Sequence, residues 1–148
     1  MEGALSEIDR LLGALPSGVF LLTAAYENGR SGQIVSWVQR CADEPLLICI
    51  AARKGHSVEP LIRDSHAFAV CLLRPDDRFI IKKFMGEQPP DEGGDPFDAL
   101  EVDRLITGSP VLRKCRGALD CMVVRHFDLE ADHEIYIGQV VGGRFHGP

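Results

Sequence analysis

Residues 18–38, GVFLLTAAYENGRSGQIVSWV, narrow the folds open to this chain more than any other stretch. A strand-forming run from Gly18 to Tyr26 reaches Asn28-Gly29, a dipeptide suited to a tight turn. A second β-branched run, GQIVSWV, follows directly and reads as the returning strand. Two runs joined this closely pair antiparallel, since a parallel return needs a crossover of a dozen residues or more.

The pattern then repeats. Beyond the Asp43-Glu44-Pro45 turn, LLICIAA is a nearly continuous apolar run, predicted as a strand with both faces covered. HAFAVCLL, GALDCMVVRHFD and EIYIGQVVGGRF read as further strands, and LITGSPVL as a short extended segment. Helical spacing occurs at three places. ALSEIDRLLGAL sets Leu5, Ile8, Leu11, Leu12 and Leu15 on one side, with Ser6 as a plausible cap. SVEPLIRDS is a short helix that Ser57 would cap, with Pro60 in its first turn. DDRFIIKKFMG would turn Phe79, Ile80 and Phe84 inward. Residues 87–96, EQPPDEGGDP, are expected to form an exposed loop. A doubly wound parallel sheet is disfavoured, because no Gly-rich fingerprint joins a strand to a helix. The expected class is mainly β (α+β), an antiparallel barrel, closed or partly open, with peripheral helices. A length of 148 residues suits one domain spanning 1–148.

Charge and composition exclude several functions. The chain is 45% hydrophobic and 26% charged, which suits a packed core. A net charge of −6 argues against general nucleic-acid binding, which needs basic surface to displace counterions. No run approaches the ~18 apolar residues of a membrane span, and MEGALSEIDR has acid where a secretion signal carries positive charge. The five cysteines include no CxxC pair, so no metal site is expected and reduced thiols in a cytoplasmic protein fit better.

Three segments have the residue types that chemistry needs. In ARKGHS, Arg53 and Lys54 end a strand, Gly55 turns the backbone, and a helix opens at Ser57. The unpaired N–H groups of that first turn favour an anion, so this is a candidate phosphate cradle; a solvated turn with a routine cap is the plainer reading. In QIVSWVQRC, strand alternation would put Val35, Trp37 and Gln39 on one face and Ile34, Ser36 and Val38 on the other. A serine beside an aromatic slab can edge a flat heterocycle, although a lone tryptophan is more often core or interface. In ADHEIYIGQV, His133 starts a strand between Asp132 and Glu134, where it can hydrogen-bond or relay a proton. No GxSxG elbow supports a hydrolase.

Taken in chain order, these segments resemble the flavin reductase-like family, whose members form an FMN-binding split β-barrel of Greek-key type. G-x-x-x-SWV-x-x-C-x-x-x-PL at 32–46 is similar to the family's G-M-T-A-S-W-V-x-x-S-x-x-P-P-L run. RKGHSVEPLI at 53–62 resembles R-x-x-H-T-x-x-L-I, and HAFAVCLL at 66–73 resembles F-A-V-N-x-L. KKF at 82–84 falls where members have a phenylalanine after a short helix, and ADHEIYIGQV at 131–140 resembles G-D-H-x-x-x-x-G-x-V. The chain departs from the pattern at Ile34 for threonine, Cys41 for serine, Glu44 for proline and Ala131 for glycine.

The resemblance implies that Ile34, Val35, Ser36, Trp37 and Val38 contact FMN along the ring and ribityl chain, with Cys41 near the ribityl end. It implies that Arg53, Lys54, His56 and Ser57 hold the phosphate, and that His133 lies near the flavin and nicotinamide as a catalytic candidate. The implied activity is NAD(P)H:flavin oxidoreductase, with FMN, or FAD in its place, and NAD(P)H as co-substrate. A homodimer and a partner oxygenase that consumes reduced flavin are implied as well. Two readings stay open beside it: a flavin carrier or electron-transfer module that never meets nicotinamide, and a degenerate split barrel that has lost flavin.

Overall fold

The computed structural model describes residues 2–86 and 94–148. In chain order the elements are α1 (Glu2–Ala14), β1 (Phe20–Tyr26), β2 (Gly29–Val35), β3 (Trp37–Ala42), β4 (Leu47–Arg53) and α2 (Val58–Ser65). These are followed by β5 (Ala67–Leu72), α3 (Arg78–Phe84), β6 (Val102–Arg104), β7 (Pro110–Leu112), β8 (Gly117–Asp128) and β9 (His133–Phe145). Seven strands form one antiparallel sheet in the order β2-β1-β5-β8-β9-β4-β3, and β6 pairs with β7.

The hairpin expected from residues 18–38 forms, one residue out of register with the sequence signal. Tyr26 pairs with Gly29, so Glu27 and Asn28 make the turn, and Glu27 takes the positive φ (53°). The returning run is two strands, not one. It breaks at Ser36, and β2 and β3 become the opposite edges of the seven-stranded sheet. Consecutive segments cannot lie far apart, so the sheet must curl until its edges approach each other. The result is an open, split barrel. Its seam is tied by Gln33 Nε2 donating to Arg53 O (3.0 Å) and by the Ser31 and Ser57 hydroxyls at 2.6 Å.

Two apolar cores flank the central strands. Leu22, Ala24, Val35, Ile50, Val58, Ile62, Phe68 and Val70 fill the barrel interior. Leu21, Ala69, Cys71, Phe84, Phe97 and Val111 pack outside it, beneath α3 and β6-β7. β5 is therefore covered on both faces, its first five residues all buried, and so is the middle of β1, where Leu21 to Ala24 are buried. For β4 that expectation is corrected. From Leu47 to Ala52 its residues alternate between half-buried and buried, because it lies one strand from an edge and, among the described residues, nothing covers its outer face.

Other expectations are corrected in the same way. Ser6 lies inside α1 instead of capping it. Ile8, Leu11 and Leu12 of α1 keep their helical spacing and are exposed, Leu11 at 71%. Phe79 is exposed (68%) while Phe84 is fully buried, since α3 turns residues 80, 81 and 84 toward the core and leaves 79 on its outer side. LITGSPVL is the turn and second strand of a hairpin, not one extended segment. Most of the 87–96 loop lies outside the described residues.

Gly138 of β9 is a close-approach position. A Cβ there would lie 2.5 Å from Phe68 Cζ and 2.8 Å from Cys121 Cβ. Gly138→Ala should lower unfolding free energy by about 1–3 kcal/mol through overpacking. Gly13→Ala, with nothing within 4 Å, should instead raise it by at most about 1 kcal/mol through helix propensity. Urea denaturation of both variants checks the contrast.

Candidate functional site

The seam opens at one end into a cleft of about 260 Å³ lined by residues of β2, the Ser36 joint, β3, β4, the loop after β4, the end of α3 and His133. Ile34, Val35, Ser36, Trp37, Arg53, Lys54, His56 and His133 all border it. Val38, Cys41 and Ser57 do not. Val38 packs against the barrel core and Cys41 is exposed further along β3. The alternation expected across 34–39 fails because of the break: Val35 and Val38 both pack on the interior core, whereas Trp37 is 55% exposed.

Strand register explains how residues distant in sequence meet here. Trp37 pairs with Ala51 on β4, and Arg53 pairs with His133 on β9. On a sheet face, side chains two residues apart along a strand point the same way. Ala51 is the small residue between Trp37 and His133, so their rings meet over it, centroids 4.9 Å apart and tilted 41°. Asp132 steadies the imidazole, its Oδ1 lying 2.8 Å from His133 Nδ1. That hydrogen bond is the leading cause holding the Asp132 carboxyl below its ordinary range. Together the indole and imidazole form a tilted aromatic lip beside a shallow floor.

The loop after β4 closes the other end. Gly55 adopts φ 84°, which a glycine tolerates freely. Val58 N donates to His56 Nδ1 (3.5 Å), which leaves Nε2–H to donate to Gly86 O (3.1 Å). His56 thus ties the loop to the segment after α3. Ser57 makes no capping bond, since its hydroxyl faces Ser31 across the seam. At the loop's outer side Lys54 forms a short ion pair with Asp128, which is the main cause of the raised Lys54 pKa. Arg53 Nη1 lies 3.6 Å from Asp132 Oδ2.

Sequence reasoning missed Gln33, Ala51, Met85 and Gly86 as lining residues. Small or flexible types at strand and helix ends gave no chemical signal. It named Glu134 beside His133 but did not foresee its burial, 2% exposed on the opposite face of β9. Glu134 accepts from Tyr136 OH (3.1 Å) and closely contacts His126, whose ring stacks on Tyr136 at 4.8 Å. Burial, then the charge of Glu134, pushes the Tyr136 phenol well up.

Comparison with known proteins decides the family. Residues 12–148 match the model of the flavin reductase like domain. The chain belongs to that family. Diflavin flavoprotein A 1 of Synechocystis is 26% identical over 140 residues, covering 94% of this chain and 24% of that protein. The chain spans about a quarter of the length of the first curated relatives it matches. The NADPH-flavin oxidoreductase of Streptomyces viridifaciens is 28% identical over 144 residues, covering 97% of this chain and 74% of that protein. Among solved structures, the flavin reductase component of a bacterial two-component tryptophan halogenase superposes with TM-score 0.80 at 19% identity, covering 97% of this chain and 88% of that chain. At that identity the likeness concerns the split-barrel fold.

The hydroxyl pair at the seam yields a stability prediction. Ser57→Ala or Ser31→Ala should each cost about 1–3 kcal/mol, because the remaining buried hydroxyl loses its partner. The double variant should cost less than the two single losses added together. A double-mutant cycle by chemical denaturation measures the coupling.

Proposed function

We propose that this chain binds a flavin in the seam cleft and catalyses hydride transfer to it from reduced nicotinamide, as an NAD(P)H:flavin oxidoreductase. The observation that supports this most is the meeting of the three matched segments, around Trp37, Arg53-Lys54 and His133, in one cleft. The cleft also fits the group. It is open rather than filled by the chain's own side chains, and its volume is slightly below the ~300–1,000 Å³ of sites that enclose a whole ligand. A planar ring would therefore lie against the lip with one face left accessible to a second substrate.

A bound flavin would supply the two-electron acceptor. The chain's part is to bind and orient. Ile34, Val35, Ser36 and Trp37 would border the ring, and Arg53 with Lys54 would face its phosphate end. His133, held by Asp132, would flank the open face where nicotinamide enters. FMN is the proposed flavin, with FAD an alternative, and either NADH or NADPH the reductant. No acid–base cluster is required of the protein, which suits a site built of apolar surface and a few polar groups.

A homodimer is proposed through the outer face of β4 and β9, uncovered among the described residues, where Cys49, Ile135, Ile137 and Val141 are half-buried or exposed. A partner oxygenase that uses the reduced flavin is proposed, since one structural neighbour is component B of a nitrilotriacetate monooxygenase. A cytoplasmic setting suits the five free cysteines. The quarter-length match to diflavin flavoproteins favours a second reading, in which the same fold relays electrons as one module of a longer protein.

Titrating FMN should quench the emission of Trp37, the single tryptophan. Trp37→Ala should weaken FMN and riboflavin alike, by about tenfold, through lost aromatic contact. Arg53→Ala with Lys54→Ala should weaken FMN more than riboflavin. Flavin-dependent oxidation of NADH or NADPH by the chain alone selects the reductase; flavin binding without it selects the relay. Unchanged emission at saturating FMN overturns both.

A further inference from the structure

The cleft's anion end contains more negative charge than a phosphate site needs. Arg53 and Lys54 are both met by carboxylates from the β8-β9 turn. Lys54 Nζ pairs closely with Asp128, and Arg53 Nη1 lies 3.6 Å from Asp132. At the start of α2, Glu59 Oε2 accepts from Gly55 N at 3.2 Å, where an anion would otherwise be welcome. Three carboxylates thus surround two cations.

The acidic turn is held in place by its own bonds. Lys54 N donates to Asp132 O (3.0 Å), continuing the β4-β9 ladder one step beyond the strands. Asp128 Oδ1 also accepts from Glu130 N (2.9 Å). The Lys54 bond is the leading cause that keeps the Asp128 carboxyl below its ordinary range, so it is charged at neutral pH. Yet both ion pairs sit at the surface, with the Asp128 and Asp132 side chains 63% and 67% exposed. Exposed pairs of this kind exchange partners readily.

Resting on the flavin reading above, we propose that Asp128 and Asp132 are specificity-determining residues that compete with the flavin's phosphate for Lys54 and Arg53. An arriving phosphate meets little net positive field and must displace both carboxylates. The site then recognises the flavin chiefly by its ring, discriminates weakly between phosphorylated and unphosphorylated flavins, and releases them readily. The flavin behaves as an exchangeable substrate.

The test is equilibrium dialysis of riboflavin and of FMN against wild type, Asp128→Asn, Asp132→Asn and the double variant, with thermal unfolding to confirm that each folds. Asparagine keeps the shape and the hydrogen-bonding oxygen while removing the charge. Wild type should bind FMN and riboflavin with Kd values within about tenfold of each other, since the phosphate's new charge-assisted bonds replace existing ones. The double variant should tighten FMN about tenfold or more by the same account, and Asp128→Asn, whose side chain does not hold His133, should tighten FMN while leaving riboflavin unchanged within about twofold. An unchanged FMN Kd, or equal shifts for both flavins, overturns the competition. If neither flavin binds wild type or variants, it is the flavin reading that falls.

Discussion

The break at Ser36 is the constraint on which the rest depends. One residue separates β2 from β3, and those strands are the two edges of a seven-stranded sheet. The sheet can satisfy this only by curling until its edges nearly meet, with the joint at the mouth of the gap. Regular ladder bonding ends there, and Ser36 O instead accepts from Gly18 N (3.2 Å). A closed barrel would have no such gap, and a flat sheet would hold its edges far apart. The cleft therefore follows from topology and needs no separate pocket-forming loop.

Around that gap, functional types are placed by strand register more than by local sequence. Trp37 and His133 are separated by nearly a hundred positions, yet each lies beside β4, and the small side chain of Ala51 lets their rings meet. The same register sets Arg53 against His133 and brings Asp132 and Asp128 to the loop that holds Arg53 and Lys54. Glu134 faces the opposite way, into the protein, because neighbours on a strand alternate faces. One strand end thereby serves the cleft with His133 and the interior network with Glu134. His126 and Tyr136 satisfy that buried carboxylate, which would otherwise be costly.

Much of the architecture was legible in the chain. The first hairpin, β5, β8, β9, α2 and α3 all lie where alternation, apolar runs and turn residues put them, because those signals are local. Failures occurred where tertiary neighbours decide. LLICIAA looked buried on both faces, but burial depends on what packs outside β4, and nothing does among the described residues. Phe79 looked inward-facing because it is aromatic, while the helix phase that buries Phe84 exposes it. Ser57 looked like a cap because serine favours that role, yet Ser31 from another strand claims its hydroxyl.

For the site the division is similar. Eight of the eleven residues singled out from sequence border the cleft, since their motifs carried recognisable chemistry. The sequence by itself determined an antiparallel, strand-rich chain with an aromatic, a basic pair and a histidine at strand ends, because composition and short-range periodicity dictate which segments extend and which turn. Only the tertiary structure decided that QIVSWV divides between opposite edges, that the rings meet over Ala51, and that the basic pair is already answered by the acids of a distant turn. Those outcomes depend on sheet order and on long-range electrostatic pairing, which a one-dimensional pattern does not encode.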